Sequence, residues 1–172
     1  MAFGKWLFCL VVIMLVASCS LWLKETSYYL APETVRKAAF AYAKKYEALG
    51  TIYEWGSQDP LPRQIKVDCS GLVIRCYEYA SADYGYSLPF TDTNAIGLSK
   101  YCALVDHPKT GDLIFMGEDE IISHVALFDR FDDGNVYFID STNLTGIVSE
   151  RKYPITSSKI IQYGRMYLYL NP

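Results

Sequence analysis

The chemistry of this chain starts at Asp68-Cys69-Ser70-Gly71-Leu72-Val73. Asp68 is a natural N-cap, so Cys69 falls in the first turn of a helix, where free backbone N–H groups and the helix dipole favour a thiolate. A thiolate can attack an acyl carbon if a base manages its proton and nearby donors receive the oxyanion. The chain has two histidines, His107 and His124. His124 sits in Ser123-His124-Val125-Ala126-Leu127-Phe128, a strand-like run that can aim a side chain rigidly. His107 sits in Val105-Asp106-His107-Pro108, a turn, and reads as a solvated surface residue. Taken alone, His124 reads equally well as a hydrogen-bonded, half-buried histidine. Beside Cys69 it becomes the candidate base.

The elements that must hold this pair are legible in outline. Pro32 and Glu33 mark a helix start, Val35, Ala38, Ala39, Tyr42, Tyr46 and Leu49 recur at helical spacing, and Gly50 supplies a stop. After a loop carrying Pro60 and Pro62, residues 69 to about 80 form a second helix with Leu72, Val73, Cys76, Tyr77 and Ala80 on its buried side. A short third helix is expected around Asn94–Tyr101. From Asp112 onward the texture is β-rich: residues 113–116, 124–128 and 136–139 are apolar runs divided by Gly- or Asp-containing turns, and 159–170 is a last strand. Helices first and an antiparallel sheet later make an α+β domain.

Length and composition allow one domain with a real core: 172 residues, 51% hydrophobic, net charge −3. With no basic tract to track phosphates, no nucleic-acid partner is expected. No His/Cys/Asp cluster has ligand spacing, so neither metal nor cofactor is implied. Lys5 followed by the apolar Trp6–Val16 resembles an export signal. Val16-Ala17-Ser18-Cys19 then resembles a lipoprotein cleavage site, which makes 1–18 a signal peptide, Cys19 the lipidated residue, 19–31 a tether and 32–172 the folded domain. The alternative is an uncleaved membrane helix, since Trp6–Leu23 is an apolar run flanked by Lys5 and Lys24. Either way the domain is expected outside the cytoplasm, held at the cell envelope. Three cysteines remain beyond Cys19. Cys69 and Cys76, two helical turns apart, lie about 10 Å from one another, too far to bridge. Cys76 and Cys102 are open to a disulfide or to being ordinary buried thiols. Oligomeric state is not readable.

Several motifs together resemble the NlpC-type family of bacterial cell-wall cysteine peptidases, which share a minimal papain-like core. These are Tyr53-Glu54-Trp55-Gly56, the Asp68–Val73 run, Leu88-Pro89, Gly111-Asp112-Leu113-Ile114-Phe115 and Ser123–Phe128, in the family's order and spanning about Val35 to Leu168. The resemblance implies Cys69 as nucleophile and His124 as general base. The family places a polar residue, often histidine, on the next strand to orient the base; the matching segment is Phe138-Ile139-Asp140-Ser141-Thr142, so Asp140 takes that place. A carboxylate can hold the imidazole tautomer and stabilise the imidazolium. Asp140 could instead be a strand-end turn residue, with Asn143 the nearest substitute. By the same resemblance Tyr53 reaches the cleft, and Asp68 and Ser70 help hold the free amine of a short peptide, whether or not Asp68 also caps the helix. Trp55 reads as wall or core. Ser57 departs from a common family glycine, and the lead from Ser57 to Val67 is long.

The activity so implied is hydrolysis of an amide in peptidoglycan stem peptides, often between D-glutamate and a diamino acid. Two other readings remain: the same core acting on another acyl substrate, or a silent cell-wall-binding lipoprotein.

Overall fold

The computed structural model describes residues 27–61 and 65–171. The signal, Cys19 and the loop residues Pro62 and Arg63 lie outside them. The first helix, α1 (Glu33–Ala48), starts after Pro32 and ends at Leu49, with Gly50 at φ +64° turning the chain away. It buries Val35, Ala39 and Tyr46 as their spacing predicts, and Ala43 besides, while Ala38 and Tyr42 of that stripe are only partly buried. Leu49 departs from that stripe, 61% exposed, because the helix has ended by then. Helix α2 (Cys69–Asp83) packs against α1 and buries Leu72, Val73, Ile74, Cys76 and Tyr77. Helix α3 (Ala95–Lys100) is one short piece, N-capped by Asn94 through Gly97 N–H.

The strands are β1 (Tyr28–Leu30), β2 (Ile52–Tyr53), β3 (Lys66–Val67), β4 (Tyr86–Ser87), β5 (Cys102–Leu104), β6 (Leu113–Glu118), β7 (Ile121–Asp132), β8 (Asn135–Ser141), β9 (Val148–Pro154) and β10 (Ile160–Leu170). The main sheet runs β1-β10-β6-β7-β8-β9, with β4 and β5 also paired to β10, while β2 and β3 form a separate parallel pair. The contacts among β6, β7, β8, β9 and β10 are antiparallel. Helices packed on an antiparallel sheet give the α+β, papain-like fold that the sequence led us to expect. The tether expected to run to residue 31 instead joins the sheet from Tyr28.

Strand alternation sorts the core in two. Odd-numbered residues such as Leu113, Phe115, Val125, Leu127 and Ile139 face the helices in the larger cluster. Even-numbered Ile114, Met116, Ala126, Phe128, Val136 and Phe138 form a smaller cluster on the other face. Cys76, Cys69 and Cys102 are all free thiols, so the reading without a disulfide holds; burial pushes the thiols of Cys76 and Cys102 up.

Gly111-Asp112 starts the sheet as expected, and its aspartate does more than turn the chain. Asp112 is fully buried; its Oδ1 accepts from Arg165 Nε at 2.9 Å, its Oδ2 from Arg165 Nη2 at 2.7 Å, and Arg36 Nε stands 3.4 Å from Oδ1. A buried carboxylate needs such partners. Gly111, at φ +87°, leaves no room for a Cβ, which would stand 2.1 Å from the Arg36 carbonyl oxygen. α1 and the sheet therefore meet backbone to backbone at this point.

Candidate active site

Asp68 builds the start of α2 from both sides. Its Oδ1 accepts from Gly71 N–H at 2.7 Å and Ser70 Oγ at 2.9 Å; its Oδ2 accepts from Gly56 N–H at 3.0 Å. The first two are helix capping, and the third ties the Trp55–Ser57 loop to the helix tip. Gly71 lets that loop sit close: a Cβ there would lie 2.3 Å from the Ser57 carbonyl oxygen, which itself accepts from Asp68 N–H. Ser57 turns its own hydroxyl to Glu54 Oε2 at 2.8 Å, so the departure from glycine is absorbed inside the turn.

His124 is aimed by an irregularity. Met116 pairs with His124, but the next partners are Gly117 and Ile122, so Ser123 is an extra residue in β7. A bulge of this kind bends the strand and re-aims its neighbours. The hairpin tip is strained as well: Asp119 and Glu120 take φ of 50° and 61°, the left-handed turn that usually calls for Asn-Gly.

The orienting partner comes from β8. Asp140 is fully buried, and its Oδ2 accepts from His124 Nε2 at 2.7 Å. The carboxylate can only accept, so Nε2 carries the proton and Nδ1 is the nitrogen left for Cys69. Asn143 lines the cleft without taking this place. Register explains the reach. The last β7–β8 pair is Leu127 with Ile139, which leaves His124 and Asp140 diagonal on one face.

A residue absent from the sequence reading completes the group. Arg151 of β9 pairs with Phe138, two residues from Asp140 on the same face. Its Nη1 donates to Asp140 Oδ2 at 2.7 Å and its Nη2 to the Tyr153 hydroxyl at 2.8 Å. Asp140 Oδ1 is buried and has no partner among the described residues. Both donors therefore converge on one oxygen. Val148–Pro154 carries charges on both faces, so no apolar rhythm in the sequence singles out Arg151; its pairing to β8 is the signal.

The electrostatics follow from this packing. Burial alone would lower the His124 pKa, but the bonds to Asp140 and Cys69 and their negative charges outweigh it and raise the value to about 9. The Tyr53 phenol is pushed up by burial and then by Cys69 and Asp68, so it stays a donor. Tyr53, Trp55, Cys69, His124 and Arg151 share one cleft of about 580 Å³. Asp68 and Ser70 line a neighbouring hollow of about 270 Å³, and Trp55 borders both. Trp55 is 83% exposed, a wall and not core. His107 is exposed, as its turn suggests. Among the described residues no group of His, Cys, Asp or Glu is arranged to hold a metal ion.

The profile of the NlpC/P60 family matches residues 50–165, a span that takes in every residue of this arrangement. The chain belongs to the NlpC/P60 family. Two solved structures agree on the fold of this NlpC/P60 chain. NlpC1 from Trichomonas vaginalis superposes with a TM-score of 0.60 at 19% identity, over 81% of this chain and 47% of that one, so the match spans about half of NlpC1. The structure of Ly7917 gives 0.51 at 11% identity, over 76% and 62%. The NlpC/p60 domain of the peptidoglycan hydrolase SagA gives 0.44 at 23% identity, over 78% and 97%. No curated protein matches the sequence.

Proposed function

We propose that this chain is a membrane-tethered cysteine peptidase that hydrolyses an amide in peptidoglycan stem peptides, at the bond between D-glutamate and a diamino acid. The observation that carries the reading is the 2.7 Å bond from His124 to a buried Asp140 in the cleft that holds Cys69. Membership in the NlpC/P60 family supports the substrate class.

In this reading the Cys69 thiolate, paired with the His124 imidazolium, attacks the carbonyl carbon and forms the C–S bond. The Cys69 backbone N–H at the start of α2 and the Tyr53 phenol stand ready for the oxyanion. As the tetrahedral species collapses, the C–N bond breaks and His124 gives its proton to the leaving amine. Water, deprotonated by His124, then splits the thioester, releasing the acid and restoring the thiolate–imidazolium pair. Asp140 holds the ring throughout and takes no proton. The hollow beside Asp68 and Ser70 suits the free amine of a short peptide, and Trp55 separates it from the leaving-group side. The tether, by lipid at Cys19 or by an uncleaved Trp6–Leu23 helix, keeps the enzyme at the envelope outside the cytoplasm.

The test is digestion of defined muropeptides by the purified protein and by Cys69→Ala, read by mass spectrometry. Fragments made only by the Cys69 protein establish the hydrolase and name the bond. No cleavage with an alkylation-resistant Cys69 overturns the reading in favour of a silent binder. No cleavage with a reactive Cys69 points to another acyl substrate.

A further inference from the structure

One face of the molecule, away from the cleft, combines aromatic rings with excess positive charge. β1 pairs antiparallel with the end of β10, Tyr28 opposite Tyr169 and Leu30 opposite Tyr167. Directly opposed residues share a face, and Met166 and Leu168, which alternate with the tyrosines, are buried in the core. The outward face therefore carries Tyr28, Leu30, Tyr167 and Tyr169. Tyr28 and Leu30 are 55% and 46% exposed. The rings of Tyr28 and Tyr169 stand 4.8 Å apart and their hydroxyls are bonded at 2.8 Å.

Arg165 lies on the same face, one alternation further along β10. It borders a hollow of about 570 Å³ with Arg36, Lys37, His107, Lys109 and Glu33. Four fixed cations stand there against two carboxylates, Glu33 and the buried Asp112. That balance is opposite in sign to the whole chain, at −3.

The chain itself brings a membrane to this face. Four residues separate Leu23, the end of the apolar run, from Tyr28, and eight separate Cys19 from it. Even fully extended, the longer path reaches only about 30 Å. Under either form of anchor, β1 is the first folded element to meet the bilayer.

We propose that this face, the tyrosines of β1 and β10 with the basic hollow at the start of α1, docks on the surface of an anionic lipid bilayer. The proposal rests on the tether reading above. Tyrosine suits the interface because its ring is apolar and its hydroxyl wet, and lysine and arginine beside it meet anionic headgroups. No residue lining the active-site cleft lines the basic hollow, so docking leaves the cleft open to a wall substrate. The tether then does more than retain the enzyme, because it fixes which way the cleft looks.

The test uses the full chain reconstituted in vesicles of phosphatidylcholine, with and without phosphatidylglycerol. Vesicle flotation reads the anchor; iodination of tyrosines and acetylation of lysines, mapped by mass spectrometry, reads the face. The expected result is several-fold protection of Tyr28, Tyr169, Lys37 and Lys109 in anionic vesicles, while Tyr153 and Lys159 in the cleft label as in detergent. A Lys37→Gln/Lys109→Gln variant should lose the protection, still float, and cleave soluble substrate at the parent rate. Flotation with equal labelling of both faces overturns the docking proposal and leaves the anchor standing. Protection that is the same without phosphatidylglycerol overturns the electrostatic part of the face. A chain that does not float and shows no protection overturns anchor and docking together.

Discussion

His124 is held by three neighbours of different chemistry: the buried carboxylate of Asp140, the sulfur of Cys69 and, through that carboxylate, the guanidinium of Arg151. Burial works against a charged ring, and the pKa of about 9 is what survives after the bonds to Asp140 and Cys69 have outweighed it. The imidazolium is thus available through neutral pH and is lost near 9. We expect kcat/KM to hold through neutral pH and fall on a basic limb near 9, measured with a soluble stem peptide. Asp140→Asn removes the main stabilising partner, so that limb moves to lower pH while the rate drops by roughly tenfold to 10⁴-fold. An unmoved limb would mean that another group titrates there. Arg151 acts at one remove, as a positioning residue. Among the described residues Oδ1 of Asp140 has no partner, so losing Arg151 leaves the buried charge on a single bond to His124. Arg151→Met should lower kcat about tenfold or more with KM little changed. Added guanidinium ion should restore part of the rate, a rescue that a merely structural loss would not show.

At the scale of elements, the site depends on two seams, and they differ in how visible the sequence makes them. The first is the tip of α2, where one carboxylate serves the cap and the Trp55 loop together. Asp68→Ala should cost about 1–2 kcal/mol by urea denaturation. It should also lower activity beyond what that loss explains, because the loop beside Cys69 is released with it. This seam was legible: Asp-Cys-Ser-Gly carries its own cap, and α1, α2 and the central strands announce themselves by period. The second seam, β8 against β9, was half legible. Asp140 was reached by resemblance, but its partner Arg151 depends on a strand whose charges hide its pairing. β1 to β5 escaped for a related reason. They are two or three residues long, too short for alternation to show, and they exist because neighbours pair with them. Ser123 escaped too, since a bulge is a property of two strands and leaves no mark on one.

At the scale of the whole molecule, two apolar clusters occupy the two faces of one sheet. The site sits between them, where Asp140 is buried and His124 keeps 22% of its side chain exposed. Function there is charged, so it makes stability depend on pH in a defined direction. The His124 pKa is raised from 6.5 to about 9 on folding. A group raised in this way stabilises the fold fully below 6.5, and that contribution disappears as pH rises through 9. Its ceiling is on the order of 3 kcal/mol. Urea denaturation of the parent and of His124→Gln at pH 6, 8 and 10 isolates the effect, because lysine and tyrosine titrations are common to both proteins. The difference between the two should be largest at pH 6 and shrink toward pH 10. The groups facing the ring are Asp140 on β8 and Cys69 on α2, with Arg151 on β9 beyond the carboxylate. Cys69→Ala should therefore give a smaller version of the same slope, since it removes one of the two partners that raise the imidazole. A difference that instead grows from pH 6 to pH 8 would mean that folding lowers the His124 pKa and holds the ring uncharged at neutral pH. The attacking group would then be a neutral thiol with histidine as a true general base, in place of a preformed ion pair.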